Sequence, residues 1–254
     1  MGRAGVAVRG SAAAPLRLVA GSATPDSPSL HDADAPADAL ELRGITKRWR
    51  GKPRPVLDNL ELSVPEGAAI LLTGRNGAGK TTLLRVAAAL IAPDRGNVTV
   101  RGLAPERSRR EFHRRIGLLA AGGSGLYARL SVRRHLDLAG RLALLERSER
   151  RVASQRVIDA FELRPVAEER VDRLSMGQRQ RVRAAMAVLH QPRVLLLDEP
   201  CNSLDDDGVA LLERAVSRTL ADGGAAVWCE PSATRSSFVF SSRYVLEEGR
   251  LNGL

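Results

Sequence analysis

The sequence predicts an α/β fold with a mostly parallel core sheet, and three observations predict it. Short apolar runs of the kind that fill buried parallel strands recur at Ala68–Thr73, Val194–Leu197 and Ala225–Cys229. The first leads straight into a Gly-rich loop and then a helix-like stretch, Lys80–Leu90. The second ends on an acidic pair, Asp198-Glu199, followed by Pro200. Strands alternating with helices in this manner give a parallel sheet covered by helices.

A length of 254 residues suits one such domain with appendages. Hydrophobic residues make up 44% of the chain and aromatics only 3%, so Leu, Val and Ala must fill the core. No uncharged apolar run approaches the roughly 18–20 residues that a spanning helix needs. The run Val86–Pro93, for example, is bounded by Arg85 and Asp94. Cys201 and Cys229 are too few for a disulfide framework and fit a reducing compartment. The formal charge of +10 is uneven: between Arg101 and Arg156, fourteen Arg stand against five acids. Such a segment can meet nucleic acid, anionic lipid headgroups, or simply solvent.

Residues 1–39 are rich in Ala, Ser, Pro and Asp, lack helical or strand periodicity, and read as a disordered extension. Arg3, Arg9 and Arg17 precede the first acid, as in a transit peptide, and the last two interrupt the apolar stretch a secretory signal requires. The ordered domain is expected over residues 40–254. Leu40-Glu41-Leu42 alternates as a strand does, and so does Val56–Val64, which ends at the turn Pro65-Glu66-Gly67. No internal repeat is present.

The chemistry concentrates in a few motifs. Gly74-Arg75-Asn76-Gly77-Ala78-Gly79-Lys80-Thr81 satisfies G-x-x-x-x-G-K-[ST] at every fixed position, with an apolar strand before it and a helix after. Its glycines let backbone N–H groups converge on phosphate oxygens, and the helix adds its positive N-terminus. Lys80 would reach the β- and γ-phosphates and Thr81, followed by Thr82, would ligate Mg²⁺. Asp198 ends a strand that a parallel sheet places beside this loop, where a carboxylate can hold Mg²⁺; Glu199 can polarise the attacking water as general base. Leu174-Ser175-Met176-Gly177-Gln178 precedes a helical stretch, Val182–His190, and Ser175 with the amides at that helix start forms a second anion site.

With these motifs in order, the chain resembles the ATP-binding cassette (ABC) ATPases, whose signature LSGGQ stands here as LSMGQ. The resemblance covers roughly Leu40–Leu251. It implies a P-loop NTPase of the ABC type, with an antiparallel β-subdomain and a helical signature subdomain at about 103–173, which the basic segment largely fills. It also implies a head-to-tail dimer in which each ATP lies between one chain's P-loop and the second cassette's Ser175, Gly177 and Gln178. Ser203-Leu204-Asp205 matches the D-loop that crosses this interface, and Trp49 falls where the family stacks an aromatic on adenine. The cofactors implied are ATP and Mg²⁺. The implied partner is a transmembrane permease that docks on the helical subdomain, which places the cassette on the cytoplasmic face of the membrane. The text around Gly74–Thr81 and residues 205–212 has some likeness to haem-exporter cassettes, which suggests an exporter. Family members that act on ribosomes or nucleic acid carry tandem cassettes or coiled-coil insertions, so nucleic acid is not the expected partner.

Two positions depart from the family. No Gln follows Ile116-Gly117-Leu118-Leu119, where the Q-loop is expected. No His follows residue 190, so Val227-Trp228-Cys229-Glu230-Pro231 occupies the place of the switch histidine, with Pro231 at the aligned position. Pro231 can donate nothing and Glu230 would repel the γ-phosphate, so slow hydrolysis, or a clamp that binds ATP opposite a competent partner, is expected.

Overall fold

The structure is a computed structural model that describes residues 38–51, 53–122, 125–231 and 235–254. Nearly all of the expected N-terminal extension lies outside the described residues. The ordered domain begins two residues before the expected boundary, because Asp38 already pairs with Pro65 and Ala39 is fully buried.

Two sheets organise the domain. The antiparallel one has the order β2-β1-β4, with β1 at Asp38–Lys47, β2 at Leu57–Pro65 and β4 at Arg95–Val100. Leu40, Leu42 and Ile45 of β1 point inward with Leu60, Leu62, Val64, Val98 and Val100 of its neighbours. The larger sheet has the order β5-β6-β7-β3-β8-β9. Its strands are β3 (Ala69–Thr73), β5 (Ile116–Leu119), β6 (Val194–Asp198), β7 (Ala225–Cys229), β8 (Ser242–Glu247) and β9 (Arg250–Gly253). All neighbours are parallel except β8 and β9. That hairpin turns through Glu248 and Gly249, both at positive φ, as a two-residue type I′ turn requires.

β3, β6 and β7 are buried on both faces, which is why they read as unbroken apolar runs. Alternation still sorts their side chains. Leu71, Leu195, Leu197 and Trp228 pack toward the helical layer of α3 (Val132–Leu142), α4 (Arg147–Ala160), α5 (Met176–Val188) and α6 (Asp206–Ala221). Ile70, Leu72, Val194, Leu196 and Val227 pack toward the antiparallel sheet and α1 (Lys80–Ala87). A short helix α2 (Arg109–Arg114) precedes β5. Within the stretch expected to be helical, β5 therefore belongs to the core sheet as its edge strand.

Helix ends differ from the periodicity for local reasons. α1 stops at Ala87, since Ala89 takes a left-handed φ of +51° and Leu90 is exposed. α5 starts at Met176, well before Val182, because Ser175 and Gln178 close a capping box: each side chain accepts the other residue's backbone N–H.

The edge strand sits against α5 at closest approach. A Cβ on Gly117 would come within 2.2 Å of the Ala187 carbonyl oxygen, and backbone cannot retreat as a flexible side chain can. Gly117→Ala should therefore destabilise the fold by about 1–3 kcal/mol, the usual cost of overpacking. The expected midpoint shift is about 2–4 °C per kcal/mol for a domain of this size, measurable by thermal melting. An unchanged midpoint would contradict this packing.

Candidate nucleotide-binding site

The phosphate loop is held open by its own backbone. Gly79, the N-cap of α1, has φ +111°, and a Cβ there would lie 2.9 Å from the Val56 carbonyl oxygen. Gly77 has φ +83° and faces open space. α1 has no side-chain cap and no acid in its first turn, so its N-terminal N–H groups and positive dipole end are unclaimed. Lys80 is buried, and its Nζ donates to the carbonyls of Gly74 at 2.5 Å and Arg75 at 3.2 Å, which lays the cation across the loop.

Thr81 and Asp198 meet from opposite sides. The Thr81 hydroxyl donates to Asp198 Oδ2 at 2.8 Å. Asp198 is almost fully buried, and its Oδ1 has no hydrogen-bond partner among the described residues. An unmatched buried carboxylate oxygen is costly, and hydroxyl and carboxylate oxygens are the donors Mg²⁺ selects. Thr81 and Asp198 therefore fit a Mg²⁺ site.

Glu199 follows in a left-handed conformation, φ +49°, and Ser203 in the same turn has φ +65°. Each costs on the order of 1–3 kcal/mol and persists only where the surroundings fix it. The Glu199 amide donates to the Cys229 carbonyl at 2.9 Å, and Asn202 Nδ2 holds its carboxylate at 2.7 Å. The bend turns Glu199 out of the strand direction to the mouth of an open cleft of about 660 Å³. Asn76, Gly77, Gly79, Lys80, Thr81, Thr82 and Trp49 line the same cleft. Trp49 is 41% exposed with Lys47 Nζ 5.7 Å from its ring centroid, so it is a cleft wall and not a core residue.

The signature residues stand elsewhere. Ser175, Gly177 and Gln178 do not line this cleft. Met176 is 71% exposed and borders a second hollow of about 340 Å³ with Arg179, Ser203 and, at its far side, Glu199. The Gln178 side chain is committed to the capping box. Asp205 is likewise a cap for α6: Oδ1 accepts the Gly208 amide and Arg181 Nη2, both at 2.8 Å. The Arg181 guanidinium, then the Gly208 amide, hold the Asp205 carboxyl below the usual range.

At the expected Q-loop, Gly123 and Ser124 lie outside the described residues. Just before them, Arg183 of α5 donates to the Ala120 carbonyl and, at 2.8 Å, to Gln180 Oε1. Just before the expected switch position Pro231, Glu230 is buried and does not line the cleft. Its carboxyl accepts the Trp228 indole N–H at 3.0 Å. The expected repulsion of phosphate by Glu230 is thus replaced by an internal contact. Asn202, Arg183 and this Glu230 contact are the site residues that sequence reasoning missed. Only Asn202 had a legible signal, a polar amide one turn after the acidic pair.

The ABC transporter family model matches residues 57–202, more than half of the chain. The chain belongs to the ABC transporter family. The ABC transporter ATP-binding protein NatA of Bacillus subtilis is 35% identical over 168 residues, 65% of this chain and 68% of NatA. The daunorubicin resistance ATP-binding protein DrrA3 of Streptomyces coeruleorubidus is 36% identical over 189 residues, 74% of this chain but only 58% of DrrA3. Among solved structures, the dimeric post-hydrolysis state of the cassette MJ0796 bound to ADP and Pi superposes with a TM-score of 0.75 at 22% identity. It covers 84% of this chain and 96% of that one, and shows the shared cassette fold.

Three outcomes follow for this cassette. Lys80→Ala should weaken ATP binding at least about tenfold in a calorimetric titration, since charge-assisted hydrogen bonds contribute roughly 1.5–3 kcal/mol. If Trp49 stacks on the base, Trp49→Ala should cost about 1–3 kcal/mol of ATP affinity in the same titration. The Asp205 carboxyl, followed by NMR, should titrate below an ordinary Asp and move back up in Arg181→Ala. Its folded-state pKa is depressed, so its stabilising effect is present above the unfolded pKa and lost as pH falls through the folded one.

Proposed function

We propose that this cassette binds Mg-ATP, closes against a second cassette around two nucleotides, and hydrolyses them to drive a separate membrane permease. The observation that carries this reading is the division of the site. One chain holds a complete phosphate cradle with an acid pair, and its signature helix start is exposed outside that cleft. An anion site that cannot reach its own chain's phosphate is suited to a neighbour's.

In this reading Trp49 stacks on the base and the loop amides from Gly74 to Thr81 receive the phosphates. Lys80 exchanges its bonds to Gly74 and Arg75 for the β- and γ-oxygens. Thr81 and Asp198 would hold Mg²⁺, which would supply charge neutralisation for the phosphates. Glu199 takes a proton from water as the water oxygen bonds the γ-phosphorus. The bond from that phosphorus to the β,γ-bridging oxygen breaks, and ADP and phosphate result. Among the described residues no histidine lines the nucleotide cleft, and Pro231 has no N–H to offer. Losing one such donor costs about 10²–10³ in rate, so turnover falls well below the roughly 10 s⁻¹ typical of enzymes.

The permease contact is assigned to a groove of about 560 Å³ between α2, α3 and α5. Leu118, Ala139, Leu142 and Met186 supply apolar walls, and Arg110, His113 and Arg114 a basic rim. No helix among the described residues is long and apolar enough to cross a membrane, so the translocation path belongs to that partner. An exporting direction is supported by the likeness to haem-exporter cassettes and by the resistance function in the name of DrrA3.

Glu199→Gln should keep ATP affinity while abolishing water activation, so Mg-ATP should shift the protein to a dimer on gel filtration. Persistent monomer, with the permease and any second cassette supplied, would refute the head-to-tail reading. Reversing Arg110 and Arg114 to Glu should release the cassette from permease-containing vesicles with ATP affinity unchanged. Equal release from permease-free anionic vesicles would assign these arginines to lipid instead.

A further inference from the structure

β7 ends at Cys229, and the next residue, Glu230, is buried although it is a carboxylic acid. Its backbone remains in the sheet, with the amide donating to the Leu72 carbonyl at 3.0 Å, one strand from the phosphate loop. Its carboxyl accepts the Trp228 indole N–H at 3.0 Å and lies beside Cys201, whose backbone and thiol act on it as donors and favour its charged form. Cys201 lies two residues beyond Glu199. A single carboxyl at the end of β7 therefore meets the turn that carries the general base.

Neither end of this bridge can drift. Trp228 has no exposed surface, and its ring packs edge-on to Phe240 at 5.7 Å and stacks with Phe238 at 6.3 Å. Cys201 is buried in the turn whose flanking residues, Glu199 and Ser203, both hold left-handed backbone. A turn strained at two positions stays in place only while its surroundings over-determine it. Asn202 fixes the Glu199 carboxylate, and the Cys229 carbonyl fixes its amide. Gln180 Nε2 holds the Pro200 carbonyl at 3.0 Å from α5, and Glu230 meets Cys201 from the β7 side. Burial pushes the Glu230 pKa up, opposed by the donors on Trp228 and Cys201, and the Glu199 charge adds to the rise. The other charged groups near this strand end are Asp198 and Lys80, which face Cys229.

We propose that Glu230 is a positioning residue for hydrolysis: by bridging Trp228 to Cys201 it fixes the strained turn, and so holds the Glu199 carboxylate against the attacking water. The role is indirect, since Glu230 does not line the nucleotide cleft. It rests on the reading of Glu199 as general base. It also makes the residue just before the expected switch position a structural brace rather than a phosphate contact.

The test compares Glu230→Gln and Trp228→Phe with the parent chain. Gln keeps the volume but turns an N–H₂ toward donors, and Phe keeps the ring packing while removing the indole N–H. Single-turnover hydrolysis should fall about 10–100-fold in Glu230→Gln, the scale expected when a catalytic group is misplaced by an ångström. Trp228→Phe should show a smaller fall of the same kind. Both should retain ATP affinity in titration, because the phosphate loop is untouched. Unchanged rates in both variants, in a chain whose hydrolysis Glu199→Gln abolishes, would overturn this proposal alone. Parallel loss of rate, ATP affinity and melting temperature would also overturn it, by showing a general packing role. If Glu199→Gln leaves the parent rate intact, the general-base reading fails first and this role fails with it.

Discussion

The parallel run of β3, β6 and β7 is the constraint on which the rest of the molecule depends. Because the three strands point the same way, their carboxyl ends open on one edge. There the loop after β3, the acid pair after β6 and Glu230 after β7 come within reach of one another. The Thr81–Asp198 hydrogen bond closes that edge across 117 positions of sequence. No local propensity could bring these residues together. What does so is burial: each strand is apolar on both faces and can satisfy its backbone only between neighbours, with helices or the second sheet above and below.

The same geometry explains where the polar groups of the site find partners. Lys80, Asp198 and Glu230 are all buried, a condition that ionisable side chains tolerate only with donors, acceptors or counter-ions. Lys80 uses loop carbonyls that point inward because the glycines let them. Glu230 uses an indole N–H. Asp198 meets the threonine of the phosphate loop through Oδ2, while its Oδ1 has no donor among the described residues. That unmatched oxygen is where a cation such as Mg²⁺ would fit.

Sequence reading reached the loop, the acid pair and the strand runs because each is a local pattern with a local cause. Gly79 must be glycine next to Val56, and Val194–Leu197 must be apolar in a doubly covered sheet. It missed what depends on distant contacts. Ala39 is buried only because β1 pairs with β2 and β4, so an alanine at the edge of a polar tail gave no sign of it. The inward turn of Glu230 depends on Trp228 and Cys201, and the bond from Arg183 to Ala120 on how α5 packs against β5. α5 was read too short because Met176–Arg181 is polar; its start is set by a reciprocal cap and not by apolar spacing.

The start of α5 also lies against the turn that follows the acid pair. A Cβ on Gly177 would sit 3.0 Å from the Ser203 carbonyl, and Arg181 of the same helix grips Asp205 at 2.8 Å. The helix tip cannot tilt toward Ser203, and Gln180 and Arg181 tie it to Pro200 and Asp205 on either side of the turn that bears Glu199. The surface that would receive a neighbour's phosphate and the residue that would cut the chain's own are therefore mounted on one stiff lever. Its fulcrum is the small gap that only glycine leaves at position 177.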